Sequence, residues 1–123
     1  MTSSSERARP RRGCIHLADL GPGHGTEPGK IRPVLVLQTD LLNRLHPSTV
    51  ILPITTRLEP DGAPLRVRLT KGEGGLRAES DVLIDQIRSI DNRRLHGTLG
   101  AVPYRRLAAV ERAIALLLDL PGS

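Results

Sequence analysis

The run Val34-Leu35-Val36-Leu37 is apolar at every position, and it constrains the fold more than any other stretch of the chain. A strand with one wet face alternates apolar and polar residues, whereas an unbroken apolar strand is covered on both faces, in a core or at a subunit interface. The strand is entered from residues 21–31, which hold four glycines and two prolines and so form a long loop rather than a tight hairpin. Between loop and strand stands Arg32-Pro33. Proline holds the residue before it in extended geometry. A permanently charged side chain is thereby fixed at the mouth of a buried strand, beside a glycine-rich loop, an arrangement suited to holding a phosphate.

At 123 residues the chain makes one domain with a modest core. That core is aliphatic, because Tyr104 is the sole aromatic residue and neither Phe nor Trp occurs. Proteins that grip single-stranded nucleic acid usually stack bases on aromatic rings. Base recognition here would have to lean on arginine planes, hydrogen bonds and pocket shape. The cations are 16 Arg and 2 Lys against 13 acidic residues, a net charge of +5. Arginine forks match phosphate geometry better than lysine does, although a GC-rich genome produces the same bias. One cysteine, Cys14, excludes an internal disulfide and a cysteine-built zinc site, and fits a cytoplasmic chain. No apolar run is long enough to span a membrane. Residues 1–12 lack a signal-peptide apolar region and read as a disordered basic tail. Its Arg7, Arg9, Arg11 and Arg12 supply non-specific electrostatic attraction, and the domain proper runs over 13–123.

The remaining pattern predicts short strands and one long helix. Residues 14–20 form a first strand, 49–55 a third, and 65–69 a cleanly alternating fourth. Pro53 lacks an N–H and is expected at an edge or bulge. Residues 80–90 form one strand long enough to bend. Residues 91–100 are a polar connection with a short strand near 98–102. Asp40 caps one or two helical turns. Leu107, Val110, Ile114, Leu117 and Leu118 make an apolar stripe on a C-terminal helix, stopped by Pro121-Gly122. Mainly β structure closed by an amphipathic helix follows.

An ordered set of short pieces carries a family resemblance. They are Arg12-Gly13, Asp19-Leu-Gly-Pro22, Gly25-Thr-Glu27, Gly29-x-x-Arg-Pro-Val-Leu-Val36, Asn43-Arg44, Pro53-Ile-Thr55, Ser80-Asp-Val82, Asp85-Gln-Ile-Arg-Ser-Ile-Asp91 and Arg94-Leu95. Together, over about residues 11–120, they resemble the MazF/PemK toxins of type II toxin–antitoxin modules. The resemblance implies a small SH3-like β-barrel of the CcdB/MazF type with a C-terminal helix, working as a cytoplasmic homodimer. It implies metal-independent, cofactor-free cleavage of single-stranded RNA, often mRNA, and a cognate antitoxin that covers the RNA groove. Dimerisation is expected through Val34–Leu37 or its neighbours.

On that resemblance Arg32 and Thr55 are the catalytic residues. Arg32 donates hydrogen bonds to phosphate oxygens as charge builds, and Thr55 holds a phosphate oxygen or the ribose 2′-OH. Read alone, Arg32 fits a surface ion pair with Glu27 or Asp85, and Thr55 fits a turn cap at a strand end. Arginine stays protonated, so Glu27 and Asp85 are the candidates for proton transfer or orientation. Candidate RNA contacts are Thr26 and Lys30 on the loop, Thr56 and Arg57 after Thr55, and Gln86 with Arg88, two residues apart on one strand face. Some relatives use a loop histidine and a second arginine where this chain has Thr26 and Leu83, so that version of the mechanism does not carry over. His24 reads as a solvent-exposed loop residue. Most relatives also carry an acidic residue at the position of Cys14 and an aromatic at that of His16. The loss of that ring weakens stacking against RNA or antitoxin. Two other readings share the architecture: a CcdB-like protein that poisons gyrase by binding it, and an RNA-binding module without turnover.

Overall fold

The computed structural model describes residues 9–26 and 29–121. The first eight residues of the tail, Arg7 among them, and Glu27 lie outside the described residues. The elements in order are β1 (Cys14–Asp19), β2 (Ile31–Val36), α1 (Asp40–Asn43), β3 (Ser48–Thr55), β4 (Arg66–Leu69), β5 (Ser80–Leu83), β6 (Arg88–Asp91), β7 (Leu95–Ala101) and α2 (Tyr104–Leu118). The strands pair antiparallel in the order β4-β5-β3-β2-β1-β7, with β6 also on β3. The protein is thus mainly β with one long helix. The ends of the sheet, β4 and β7, share no ladder, so hydrogen bonds do not close it. No helix among the described residues is long and apolar enough to cross a membrane.

β2 lies between β1 and β3, and this settles the unbroken apolar run. Leu35 enters the main core with Ile15, Leu52, Ile54, Ile84, Val110 and Ile114. Val34 and Val36 enter a second cluster with Ala18, Leu20, Ile51, Ile90 and Leu95. Val34, Leu35 and Val36 are each fully buried, and both edges of the strand are paired. The buried segment Val34–Val36 therefore offers no surface for a dimer contact, whereas its neighbour Ile31, at the start of β2, is exposed. Other exposed large apolar residues include Leu41 and Leu45 near α1 and Leu116 and Leu118 on α2.

Other expectations shift for identifiable reasons. Pro53 sits in a central strand, opposite Val34. On the other side of β3 the neighbour changes from β6, which ends opposite Ile51, to β5, which begins opposite Ile54. The missing N–H falls in the gap between them, where no ladder bond is lost. That change of partner also breaks residues 80–90. β5 and β6 flank opposite halves of β3, and a 3₁₀ turn, Ile84–Gln86, carries the chain across. Gln86 is in that turn and Arg88 in β6, so the two do not share a strand face. β7 is longer than the short strand expected, because its middle residues are mostly exposed and give no apolar alternation. The cap of α1 is Thr39, whose Oγ1 accepts from Leu41 N–H at 3.3 Å. Asp40 instead accepts from Arg12 N–H at 2.9 Å and Asn43 Nδ2 at 3.0 Å. Arg12, read with the tail, is tied to the domain through this bond and through its guanidinium, which reaches Leu37 O and Glu111.

The helix α2 buries Val110, Ala113 and Ile114, with Leu107 packed beside them. The last turn of the predicted stripe, Leu117 and Leu118, is exposed. The turn after β4, Glu73–Gly75, is held from two directions. The Glu73 carboxylate accepts from Arg105 and Arg106 of α2 and from Thr70 N–H, while the backbone at Gly74 and Gly75 lies against Leu99 and Gly100 of β7. The sheet curls so that its two ends meet by packing.

His16 on β1 is fully buried, opposite Val34 and on the side of the second cluster. Its Nδ1 donates to His96 O at 3.1 Å, a carbonyl being only an acceptor, and its Nε2 has no partner among the described residues. The ring is not available for stacking at the surface. Burial holds its pKa below the ordinary histidine value, with the bond to His96 O opposing in part. The unfolded chain takes up this proton near pH 6.5 and the folded chain resists it. The stability contribution is therefore complete above that value and is lost progressively as pH falls from it through the lower folded value. The melting temperature is expected to drop between pH 7 and pH 5.5, and His16→Leu to flatten that drop. A His16→Leu profile parallel to that of the wild type would exclude His16 as its source.

Candidate active site

Arg32 and Thr55 come from the adjacent strands β2 and β3. Val34 pairs with Pro53, and carrying that register two residues on brings Arg32 opposite Thr55. Thr55 pairs with Asp81 on β5, and Asp81 with Arg68 on β4. A polar row, Arg32-Thr55-Asp81-Arg68, thus crosses four strands on one face. The sequence builds it locally. Pro33 fixes the extended backbone at Arg32, Thr55 ends a buried β-branched strand, and the alternation of β4 puts Arg66 and Arg68 on the same side.

Arg32 is half-buried and its Nε donates to Gly29 O at 2.9 Å, so the loop aims the guanidinium. That loop is drawn tight at its base, where Leu20 N–H bonds Lys30 O at 2.9 Å and Lys30 N–H bonds Gly21 O at 2.5 Å. Among the described residues Arg32 makes no ion pair. The alternative of a surface pair with Asp85 is not what the structure contains, and Glu27 lies outside the described residues. Thr55 does cap a turn, as its Oγ1 accepts from Arg57 N–H at 3.1 Å. This occupies an acceptor site and leaves the hydroxyl hydrogen to donate.

A hollow of about 470 Å³ is lined by Gly25, Thr26, Arg32, Thr55, Thr56, Arg57, Arg66 and Leu83. A neighbouring one of about 330 Å³ is lined by Thr26, Gly62, Leu65, Arg66, Leu83, Asp85 and Gln86. They share Thr26, Arg66 and Leu83, and so form one groove with Arg32 and Thr55 at one end and Asp85 and Gln86 at the other. A third hollow of about 520 Å³, lined mainly by apolar side chains such as Leu17, Ile31, Ile54 and Leu99, adjoins Arg32 and Thr56.

The candidate residues are therefore divided. Thr26, Arg32, Thr55, Thr56, Arg57, Asp85 and Gln86 line the groove. Lys30 lines the apolar hollow instead, while Arg88, on β6 opposite Ile51, lines none of these spaces. His24 is exposed and lines none either. Cys14 is a partly buried strand residue with a free thiol. Arg66 and Asp81 were missed, although the alternation of β4 already put Arg66 and Arg68 on one face. Among the described residues no group of three or more His, Cys, Asp and Glu side chains is placed to hold a metal.

Three arginines converge on a groove whose one lining carboxylate, Asp85, sits at the far end. Such a groove takes hold of a polyanion, and its two hydroxyl-bearing rims add donors for oxygens. The class defined by fold and groove is a small, mainly β protein with a cationic groove of a shape and charge suited to phosphodiesters. The chain belongs to the PemK-like, MazF-like toxins of type II toxin–antitoxin systems, whose family model matches residues 11–118. It is 36% identical over 110 residues to the endoribonuclease MazF of Staphylococcus saprophyticus, covering 89% of this chain and 92% of that protein. The crystal structure of MazF from Deinococcus radiodurans superposes with a TM-score of 0.78 at 30% identity, covering 92% of this chain and 99% of that one. A MazE–MazF structure from the same organism gives a TM-score of 0.75 at 31% identity, covering 92% and 98%.

Proposed function

We propose that this toxin is a metal-independent endoribonuclease that cuts single-stranded RNA, mRNA foremost, in the cytoplasm by attack of the ribose 2′-OH on the adjacent phosphate. The observation that carries this reading is the meeting of Arg32 and Thr55 in one cationic groove, in a chain of the MazF-like family. In-line attack builds negative charge on a crowded phosphorane. Arg32 meets that charge with a fixed fork of donors, and the Thr55 hydroxyl donates to a non-bridging oxygen or orients the 2′-OH. Arginine does not release its proton, so proton transfer falls to the loop carboxylate Glu27, while Asp85 at the far end of the groove has an orienting role. The apolar hollow beside Arg32 accepts an unstacked base in a protein with almost no aromatic rings of its own. The working form is a homodimer of SH3-like barrels. A MazE-like antitoxin inhibits it by covering the groove.

The test is incubation of the purified protein with a long single-stranded RNA in EDTA, with the cleavage ends mapped. Discrete cuts are expected, lost in Thr55→Ala protein that still folds. Growth arrest with RNA left intact would instead assign a gyrase-type poison. RNA retained without cuts would assign a binding module without turnover.

A further inference from the structure

We propose that Arg66 is a second phosphate-binding residue of the groove, and that buried Asp81 is the positioning residue that holds it there. The inference rests on the nuclease reading above, and assigns to Arg66 the RNA phosphate neighbouring the one cut at Arg32.

Arg66 and its flanking Thr26 and Leu83 are common to both hollows, whereas Arg32 lines only the first and Asp85 and Gln86 only the second. A strand of RNA with its scissile phosphate at Arg32 and Thr55 passes Arg66 on its way to Gln86. The cation is aimed by unusual means. The side chain of Asp81 is 1% exposed, and a carboxylate out of water requires strong partners. It has three: Arg68 Nε at 2.5 Å, Arg66 Nη1 at 3.1 Å and Glu59 N–H at 3.0 Å. Burial pushes its pKa up, but these hydrogen bonds outweigh burial and hold it below the ordinary carboxylate value. Asp81 is thus an anion at neutral pH, standing opposite Thr55 in register.

Arg66 is also pinned from its other side, because the same Nη1 donates to Arg57 O at 2.7 Å. Two bonds through one nitrogen fix the guanidinium while committing only one corner of the fork. Among the described residues Nε and Nη2 carry no partner, and the side chain is 22% exposed. Neutralising Asp81 does not require Arg66. Arg68 makes the shorter bond to the same carboxylate and has Glu79 at 3.7 Å as well. Arg68 itself lines neither hollow.

The experiment measures binding of a fully 2′-O-methylated single-stranded RNA, which has no nucleophile, against NaCl concentration, together with KM and kcat on cleavable RNA. Arg66→Ala is expected to reduce the magnitude of the log–log salt slope by about 0.7, the value for one phosphate contact on a single strand. Its KM should rise about tenfold, the loss of one charge-assisted hydrogen bond, with kcat within about threefold of the wild type. Arg66→Lys should restore the slope but only part of the KM, being a point charge without the fork. Asp81→Asn should raise KM while keeping the slope, since the charge of Arg66 remains but is no longer held. Arg112→Ala, on the exposed side of α2 and lining none of the hollows, should leave both near wild type. Wild-type slope and KM in Arg66→Ala would overturn the inference and leave the nuclease reading intact. A wild-type protein that neither binds nor cuts RNA would overturn both. Should Asp81→Asn not fold, the Arg66 pair of variants decides the matter alone.

Discussion

Replacing Arg32 with alanine is expected to lower RNA cleavage by about a hundred- to a thousandfold, the usual cost of removing one donor aimed at a developing oxyanion. The melting temperature should barely move. The separation of the two effects follows from what Arg32 touches. Its single hydrogen bond among the described residues runs from Nε to Gly29 O at 2.9 Å, and it balances no carboxylate. Removing it takes no partner from a buried charge, unlike removal of Arg68, which takes from Asp81 its shortest bond. Arg32→Lys sharpens the point. Lysine keeps the charge but presents a flexible ammonium in place of a planar fork, so it should recover only a small part of the rate. Single-turnover cleavage rates with saturating enzyme, paired with thermal melts, check both variants. Wild-type cleavage by a folded Arg32→Ala protein would remove Arg32 from the chemistry.

The parts of this site that were legible in the sequence are those set by the local chain. Arg32 was visible because proline and an unbroken apolar run fix its backbone and depth whatever surrounds them. Thr55 read locally only as a turn cap at a strand end and was singled out by the family resemblance, whereas α2 was visible through its three- and four-residue spacing. What was not legible depended on which strand lies beside which. Alternation put Arg66 and Arg68 on one face, but nothing local says that β5 pairs there and brings Asp81 between them. Residues 80–90 read as one strand because their apolar content is continuous, and only the change of partner along β3 makes Ile84–Gln86 a turn. That error put Gln86 and Arg88 on one strand face, when the turn leaves Gln86 in the groove and takes Arg88 away from it. His16 shows the same limit. A polar residue on an alternating strand reads as outward, yet both faces of β1 are covered here.

Gly75→Ala is expected to be among the most damaging single changes outside the hydrophobic core, because two independent costs fall on one residue. The first is backbone conformation. Gly75 has φ of +78°, where a side chain costs about 1–2 kcal/mol in left-handed geometry. The second is space. A Cβ there would fall on the Leu99 carbonyl, 2.7 Å from its carbon. That is backbone of β7, which is paired to β1 through Gly100 and Thr98 and has little room to retreat. Nor is the turn free to retreat, since Glu73 is anchored to Arg105 and Arg106. The contact at stake is the one where the curled sheet meets itself, so forcing it apart should also loosen the apolar hollow beside Arg32, which Gly75 and Leu99 both line. Gly72 separates the two costs. Its φ is +95° and an added Cβ meets nothing within 4 Å, so Gly72→Ala carries only the backbone cost. Gly97→Ala, equally open and without a positive φ, should be nearly neutral. Urea unfolding of the three variants is expected to rank them Gly97, Gly72, Gly75 in increasing damage. The Gly75 variant should lose several kcal/mol, in the range of severe steric substitutions. Equal losses at Gly72 and Gly75 would show that the meeting of turn and β7 contributes nothing to stability.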